Sequence, residues 1–310
     1  MKQKQQHVYV LGGYGFLGTH VSDLLEKKKI SHVRESRRTG TDARSFENLY
    51  FSLKKQNPTT IINCAAHVGS VHYAMQNAAE MIHDNLQIIT TLYRAAYAAN
   101  PKIKIINPIS NCSYPGEANT HIEQHWEDGP VHDSVLAYAS TRRMIYAISK
   151  CYSQQYNVSS VNWLIANAYG PGDYLDPNRV HALNGIIIRL LQSKKAKKKT
   201  FEIWGSGKPT REWVYIEDVA KLLVESLERT TQITPVNFAQ NKAYSIGEIA
   251  EIVAKILSYR VEFSFNTTFA DGAPFKILDD TEFKKKHGPF RFTPIQTGIR
   301  TTIDYYQKHL

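Results

Sequence analysis

The 310-residue chain is 42% hydrophobic and 21% charged, ordinary for a soluble globular protein large enough to form one big domain or two unequal ones. No apolar run approaches the roughly 20 residues a membrane helix needs, and "MKQKQQHVYVLGG" passes straight into a strand pattern without a signal-peptide apolar region. The expected compartment is therefore the cytoplasm, with no membrane partner. The three cysteines, Cys64, Cys112 and Cys151, have neither C-x-x-C nor histidine-bearing spacing and read as free thiols, with no metal site. A formal net charge of +10 suggests an anionic partner: nucleic acid, a membrane surface or a phosphorylated small molecule.

The first half alternates strand-like and helix-like segments. Strands are predicted in "HVYVLGG" (7–13), "HVRES" (32–36), "TTIINCAA" (59–66), "IKIINPIS" (103–110) and "VSSVNWLIAN" (158–167), with helices near 18–29, 43–56, 77–99 and 135–156. Such alternation implies βαβ crossovers and a parallel sheet covered on both faces. After about residue 170 the pattern loosens. "AYGPGDYLDPN" is a turn-rich loop, "GIIIRLLQS" a helix, "FEIWGSGKP" a strand entering a turn, and "IEDVAKLLVESLE" and "YSIGEIAEIVAKIL" are amphipathic helices. Ser245 and Glu248 form a capping box ahead of the second. The basic run "KKAKKK" at 194–199 reads as a solvated helix end, since lysines suit a helix C-terminus and no aromatic residue interleaves to stack bases. No nucleic-acid partner is expected.

"VYVLGGYGFLGTHVSDLLEK" sets Gly12, Gly15 and Gly18 between the first strand and its helix. The first glycine permits a tight turn, the second lets a pyrophosphate approach the backbone, and the third lets helix and strand pack closely. This G-x-x-G-x-x-G spacing resembles the extended short-chain dehydrogenase/reductases. The resemblance implies an α/β fold, a Rossmann-type doubly wound parallel sheet with a smaller, interleaved C-terminal mixed α/β substrate domain. Residues 1–170 would be the cofactor domain, with later insertions returning to it near 201–240, and 171–310 mainly the substrate region. Tyr14, Phe16, Leu17, Ala65, Ala66 and Asn167 join the glycines as expected cofactor contacts. After the second strand, "VRESRRTGTD" offers Arg37 and Arg38 for a 2′-phosphate, which favours NADP over NAD.

The superfamily uses a serine, a tyrosine and a cation four residues after the tyrosine. "NPISNCSYP" supplies Ser110, while "YASTRRMIYAISK" supplies two pairs, Tyr138 with Arg142 and Tyr146 with Lys150. Tyr138 lies 28 residues after Ser110 and 29 before Asn167; for Tyr146 the intervals are 36 and 21. The family spacing selects Tyr138. At about 1.5 Å rise per residue, Tyr146 lies some 12 Å further along the helix, on a face expected for packing or subunit contact.

A narrower resemblance runs over nearly the whole chain. "AAHVGSVHYAMQNAAEMIHDN", "SNCSYP", "YSQQYN", "NAYGPGDYLDPNRVHA", "IWGSGKPTREWVYIEDVA" and "FADGAPFKILDD" are similar, in that order, to stretches of the GDP-L-fucose synthases, which are GDP-4-keto-6-deoxy-mannose 3,5-epimerase/4-reductases. The resemblance implies Cys112 as base and His181 as acid at C3 and C5, with Ser110 and Tyr138 on the C4 oxygen. It implies Arg189, Trp204, Arg211, Asp271 and Lys276 as contacts of a GDP-linked sugar, and a homodimer. Two departures stand out: Arg142 occupies the lysine position, and "HVGSVHYA" differs from the usual wording near the sugar. Another nucleotide-sugar enzyme of the superfamily, a 4-epimerase or dehydratase, and a non-catalytic nucleotide-binding descendant stay open as alternatives.

Overall fold

The computed structural model describes residues 6–118, 120–177, 179–269 and 271–310. Strand β1 (His7–Leu11) shows how both faces of the sheet are filled. Val8 and Val10 point one way, Tyr9 and Leu11 the other, as the two-residue strand period requires. All four are buried. The first pair packs with Val21 and Leu25 of α1 (Phe16–Lys27), the second with Leu49 and Leu53 of α2 (Phe46–Gln56). Each fully buried side chain of this size stabilises by about 1.5–3 kcal/mol, which fixes the register of the central strand.

Between these helices β2 (Ser31–Glu35) pairs in parallel with β1, and β3 (Thr60–Asn63) pairs with its other edge. The predicted 77–99 helix is α4 (Ala78–Ala99); a short unpredicted helix, α3 (Val71–Gln76), precedes it, the two separated by Asn77, whose backbone is non-helical (φ −121°, ψ 34°). Strand β4 (Lys104–Ser110) leads through a 3₁₀ turn at Asn111–Ser113 and a long loop to α5 (Leu136–Tyr156), then to β5 (Ser160–Ile165). The predicted 158–167 strand is two: beyond Ala166, β6 (Asn167–Tyr169) leaves for another sheet.

The remaining chain builds a second layer and sends one strand back. Helix α6 (Ala182–Lys195) and strands β7 (Thr200–Trp204) and β8 (Thr210–Tyr215) precede α7 (Ile216–Glu225), which lies against α1. Strand β9 (Gln232–Phe238) returns to pair with β5. Then come β10 (Ala243–Ser245), α8 (Ile246–Ile256), β11 (Glu262–Asn266), β12 (Phe275–Lys276), α9 (Thr281–His287) and α10 (Ile295–His309). The expected Ser245–Glu248 capping box is formed in both directions.

The main sheet runs β2-β1-β3-β4-β5-β9, all parallel; β10, β8 and β12 form a second sheet with β6 on β8, and β11 pairs with β7. Winding reverses between β1 and β3, so the carboxyl ends of these strands open on a crevice, the place where doubly wound sheets bind ligands. Across it sits a second core, in which Leu183, Ile187, Ile203, Trp213, Ile249, Val253, Ile299 and Tyr306 join α6, α8 and α10 to β7 and β8. Among the described residues no helix is long and apolar enough to cross a membrane.

Candidate active site

The crevice is a cleft of about 710 Å³. Its floor is the glycine turn. Gly12 has φ +77°, and a Cβ there would stand 2.7 Å from the Ala65 nitrogen; one on Gly18 would run into the Gly12 carbonyl. Both positions require glycine, Gly12 because the turn passes so close to the loop after β3 and Gly18 because α1 packs directly on the turn. Gly15, Phe16 and Leu17 line the cleft at the start of α1, as do Ala65, Ala66 and Asn167, while Tyr14 is exposed beside them. The helix N-terminus and the open backbone form a cradle suited to a pyrophosphate.

At the end of β2, Glu35 is buried and its carboxylate is occupied. It accepts from the Thr39 hydroxyl at 2.6 Å and the Thr41 hydroxyl at 2.9 Å. Arg37 and Arg38, on the 3₁₀ turn that follows, are exposed. The Glu35 carboxylate is thus occupied within its own turn, and the two exposed cations beside it have the chemistry that suits a phosphate.

Ser110, Cys112, Tyr138 and Arg142 come together on one side of the cleft. Ser110 ends β4 and caps the 3₁₀ turn, its Oγ accepting from the Cys112 amide at 3.4 Å. Tyr138 and Arg142, one turn apart on α5, face the same way, with the guanidinium 4.8 Å from the phenol ring centroid. Arg142 is 3% exposed and donates from Nη2 to Asn85 Oδ1 at 2.9 Å, while its Nε is buried without a protein partner. Tyr146 and Lys150 pair with each other at 3.4 Å instead, and Tyr146 sits edge-on against Trp126 away from the cleft lining. Burial raises the pKa of both the Tyr138 phenol and the Cys112 thiol; Arg142 opposes the first shift, and Lys276, Ser110 and Arg142 the second. These cations favour the ionised forms that proton transfer needs.

His181 caps α6, and its ring lies 5.6 Å from that of Phe16 at the glycine turn. Its Nδ1 meets Asp173 Oδ2 at 3.0 Å, and its main-chain N–H donates to the same oxygen at 2.9 Å. Asn184 donates to that oxygen as well, at 3.0 Å. Burial pulls the imidazole pKa down, but the Asp173 charge and hydrogen bond carry it above its ordinary value. The carboxylate also fixes the ring so that Nε2 is the free nitrogen. Asp173 and Asn85 were not singled out in the sequence: one lies in a turn-rich loop and the other mid-helix, and only tertiary contacts give them partners.

At the far end, Arg189 lies over Trp204 at 4.3 Å, and Trp204 stacks on Phe269 with 4.8 Å between centroids. Arg211 donates to the Asp271 carbonyl at 3.2 Å, and the Asp271 carboxylate accepts from the Ser206 amide at 2.7 Å. Burial lowers Arg211 to about 10 and Lys276 to about 8. All of these side chains line the same cleft as Cys112, giving a cationic stretch with an aromatic shelf that suits a nucleoside diphosphate.

Sheet order and cleft are those of a dinucleotide-dependent enzyme. The chain belongs to the NAD dependent epimerase/dehydratase family, whose model matches residues 8–247. Among curated relatives, the GDP-L-fucose synthase of Dictyostelium discoideum is 26% identical over 304 residues, covering 96% of this chain and 94% of its own. Two solved structures share the fold. A GDP-L-fucose synthetase from Naegleria fowleri bound to NADP has a TM-score of 0.88 at 22% identity, covering 100% of this chain and 96% of that one. A GDP-6-OMe-4-keto-L-xylo-heptose reductase from C. jejuni has a TM-score of 0.88 at 19% identity, covering 99% of each chain.

Proposed function

We propose that the protein is an NADPH-dependent epimerase/reductase of a GDP-linked 4-keto sugar, acting in the biosynthesis of a deoxysugar or heptose for polysaccharide. The observation that carries this reading is the convergence of Ser110, Cys112 and Tyr138 with the Asp173-backed His181 in one cleft. A reductase alone needs no such second acid–base pair. The GDP-sugar names of the relatives support the nucleotide, and Arg189, Trp204, Arg211, Asp271 and Lys276 are the residues assigned to hold it.

Chemically, protons α to the C4 ketone are acidic because the enolate places its charge on the C4 oxygen. Ser110 and Tyr138 stabilise that oxygen. The Cys112 thiolate removes a proton and His181 returns one, the two acting at C3 and C5. Tyr138 then protonates the C4 oxygen as the ketone is reduced, with Arg142 biasing the phenol toward ionisation. NADPH supplies the hydride when bound. Gly12, Tyr14, Gly15, Phe16, Leu17, Gly18, Ala65, Ala66 and Asn167 would hold its diphosphate and riboses, and Arg37 and Arg38 its 2′-phosphate. On this reading residues 1–170 serve the cofactor and 171–310 mainly the sugar nucleotide; the expected 201–240 return narrows to α7 and β9, since β7 and β8 lie in the second sheet and core. The test is NADPH consumption with GDP-4-keto-6-deoxy-mannose as substrate. Turnover requiring the GDP ketone supports the reading, and turnover only with a uridine- or thymidine-linked ketone contradicts it.

Replacing both Arg37 and Arg38 by serine should weaken NADPH binding by about 10²–10⁴-fold, since each of the two charge-assisted contacts contributes roughly 1.5–3 kcal/mol, and leave NADH binding almost unchanged. Titration of the unmodified protein decides the premise: tighter NADH than NADPH binding would show the phosphate assignment to be wrong.

We further assign a cytoplasmic homodimer built on α4 and α5. Leu136, Met144 and Tyr156 of α5 and Ile82 of α4 are exposed, and Tyr156 stacks on Tyr97 of α4 at 4.3 Å; two long helices packed side by side with apolar residues left outside suit an intermolecular helix bundle. Sedimentation should give twice the chain mass of 35.3 kDa. A monomer at micromolar concentration would exclude the pairing.

A further inference from the structure

Resting on that reading, we propose that Arg143 is a positioning residue for the epimerisation step, bolting the turn that carries Ser110 and Cys112 to the helix that carries Tyr138. The chemistry needs groups from two elements, β4 with its 3₁₀ turn and α5, to meet one sugar ring. Something must hold their register.

The adjacent arginines of "TRRM" divide that work. Arg142 faces the cleft, whereas Arg143 points to the opposite wall of the turn and donates three times to main-chain carbonyls: Nε to Ser113 at 2.7 Å, Nη1 to Gly129 at 2.7 Å and Nη2 to Trp126 at 3.1 Å. The same turn is pinned from a second side. Trp126 Nε1 donates to Ser113 Oγ at 2.9 Å, and that hydroxyl donates to the Ser110 carbonyl at 2.6 Å. Cys112 therefore sits between two residues whose backbone groups are both tied down.

Tyr146 finds its place here as well. Its ring lies 5.5 Å from that of Trp126 in an edge-on contact, so the second tyrosine of the repeated pair buttresses the tryptophan that holds the turn. A guanidinium presents its donors in a rigid planar fork, which matches three carbonyls in a way that a lysine ammonium cannot reproduce. Burial pulls the Arg143 pKa below its ordinary value, against the opposing charges of Glu127 and Cys112; the cation lies within electrostatic reach of the thiol it positions.

The test measures deuterium incorporation at C3 and C5 of GDP-4-keto-6-deoxy-mannose from heavy water, per folded molecule, as a function of pH. In Arg143→Lys the exchange kcat should fall by about 10²-fold, the loss that a misplacement on the order of 1 Å brings, with KM and NADPH affinity unchanged and the rising limb of the pH profile, the one Cys112 sets, displaced. A purely structural role would lower melting temperature and leave exchange per folded molecule at the wild-type value, which would overturn the proposal. Should Arg143→Lys fail to fold, Trp126→Phe removes the single Nε1–Ser113 hydrogen bond. A smaller loss of exchange in the same direction supports the proposal, and wild-type exchange overturns it. Cys112→Ser separates the two levels of inference. Exchange surviving in that variant refutes Cys112 as base, whereas exchange lost there but intact in Arg143→Lys refutes only the positioning role.

Discussion

Tyr138→Phe is expected to slow ketone reduction by about 10²–10⁴-fold, the range a positioned proton donor contributes, while Tyr146→Phe leaves the hydride step close to wild type. The phenol of Tyr138 lines the cleft with Ser110 and Cys112. That of Tyr146 is paired with Lys150 and packed on Trp126. Burial holds the Tyr138 pKa above its ordinary value, and Arg142 is the charge that counters it. Arg142→Lys should accordingly lower both reduction and NADPH affinity, because the guanidinium is built into its contact with Asn85, which a shorter ammonium does not reproduce. Faster reduction in Arg142→Lys would instead mark the arginine as a costly replacement. Loss of reduction in Tyr146→Phe, with Tyr138→Phe unaffected, would transfer the catalytic role to the second pair.

The second large effect is expected at the proton-exchanging pair. Cys112→Ser should remove deuterium exchange at the carbons flanking the ketone, since a serine hydroxyl is a far weaker base than a thiolate. Asp173→Asn should reduce it through His181. With the carboxylate present the imidazole pKa is raised, so the acid form persists above the ordinary histidine value and is lost as pH rises through the raised pKa. Without the carboxylate, burial alone acts and lowers the pKa, so the falling limb of the pH–exchange profile should move to lower pH. Lys276→Met should move the rising limb the other way, to higher pH, because the ammonium is the largest influence lowering the Cys112 pKa against burial. Unshifted limbs in both variants would place the titrating groups elsewhere.

The sheet and its cofactor turn were legible because their signals are local. Period-two strands, period-3.6 helices and three glycines each arise within a few residues. Boundaries were less so: α1 starts at Phe16 rather than 18 because Gly15 already serves as its cap. "VSSVNWLIAN" reads as one strand, yet β5 pairs with β4 and β9 while β6 pairs with β8. An apolar run records burial and carries no information on which sheet buries it. Strand β12 has two residues, too few for any periodicity, yet it brings Lys276 to the cleft. The partners that tune the site, Asp173 for His181, Asn85 for Arg142 and Arg143 for the Cys112 turn, are single polar residues whose meaning lies in contacts 8, 57 and 30 residues away in the chain. Motif spacing located side chains that meet in one cleft, and tertiary packing supplied what orients them.

The central claim, two proton-moving groups and one hydride-transfer site in a single cleft, is tested most directly by incubating the protein with GDP-4-keto-6-deoxy-mannose in deuterated water, with and without NADPH, and reading the sugar by NMR. Deuterium at C3 and C5 in the absence of NADPH, followed by a reduced C4 when NADPH is added, is the predicted result. An undeuterated ketone that is neither exchanged nor reduced under both conditions would contradict the account.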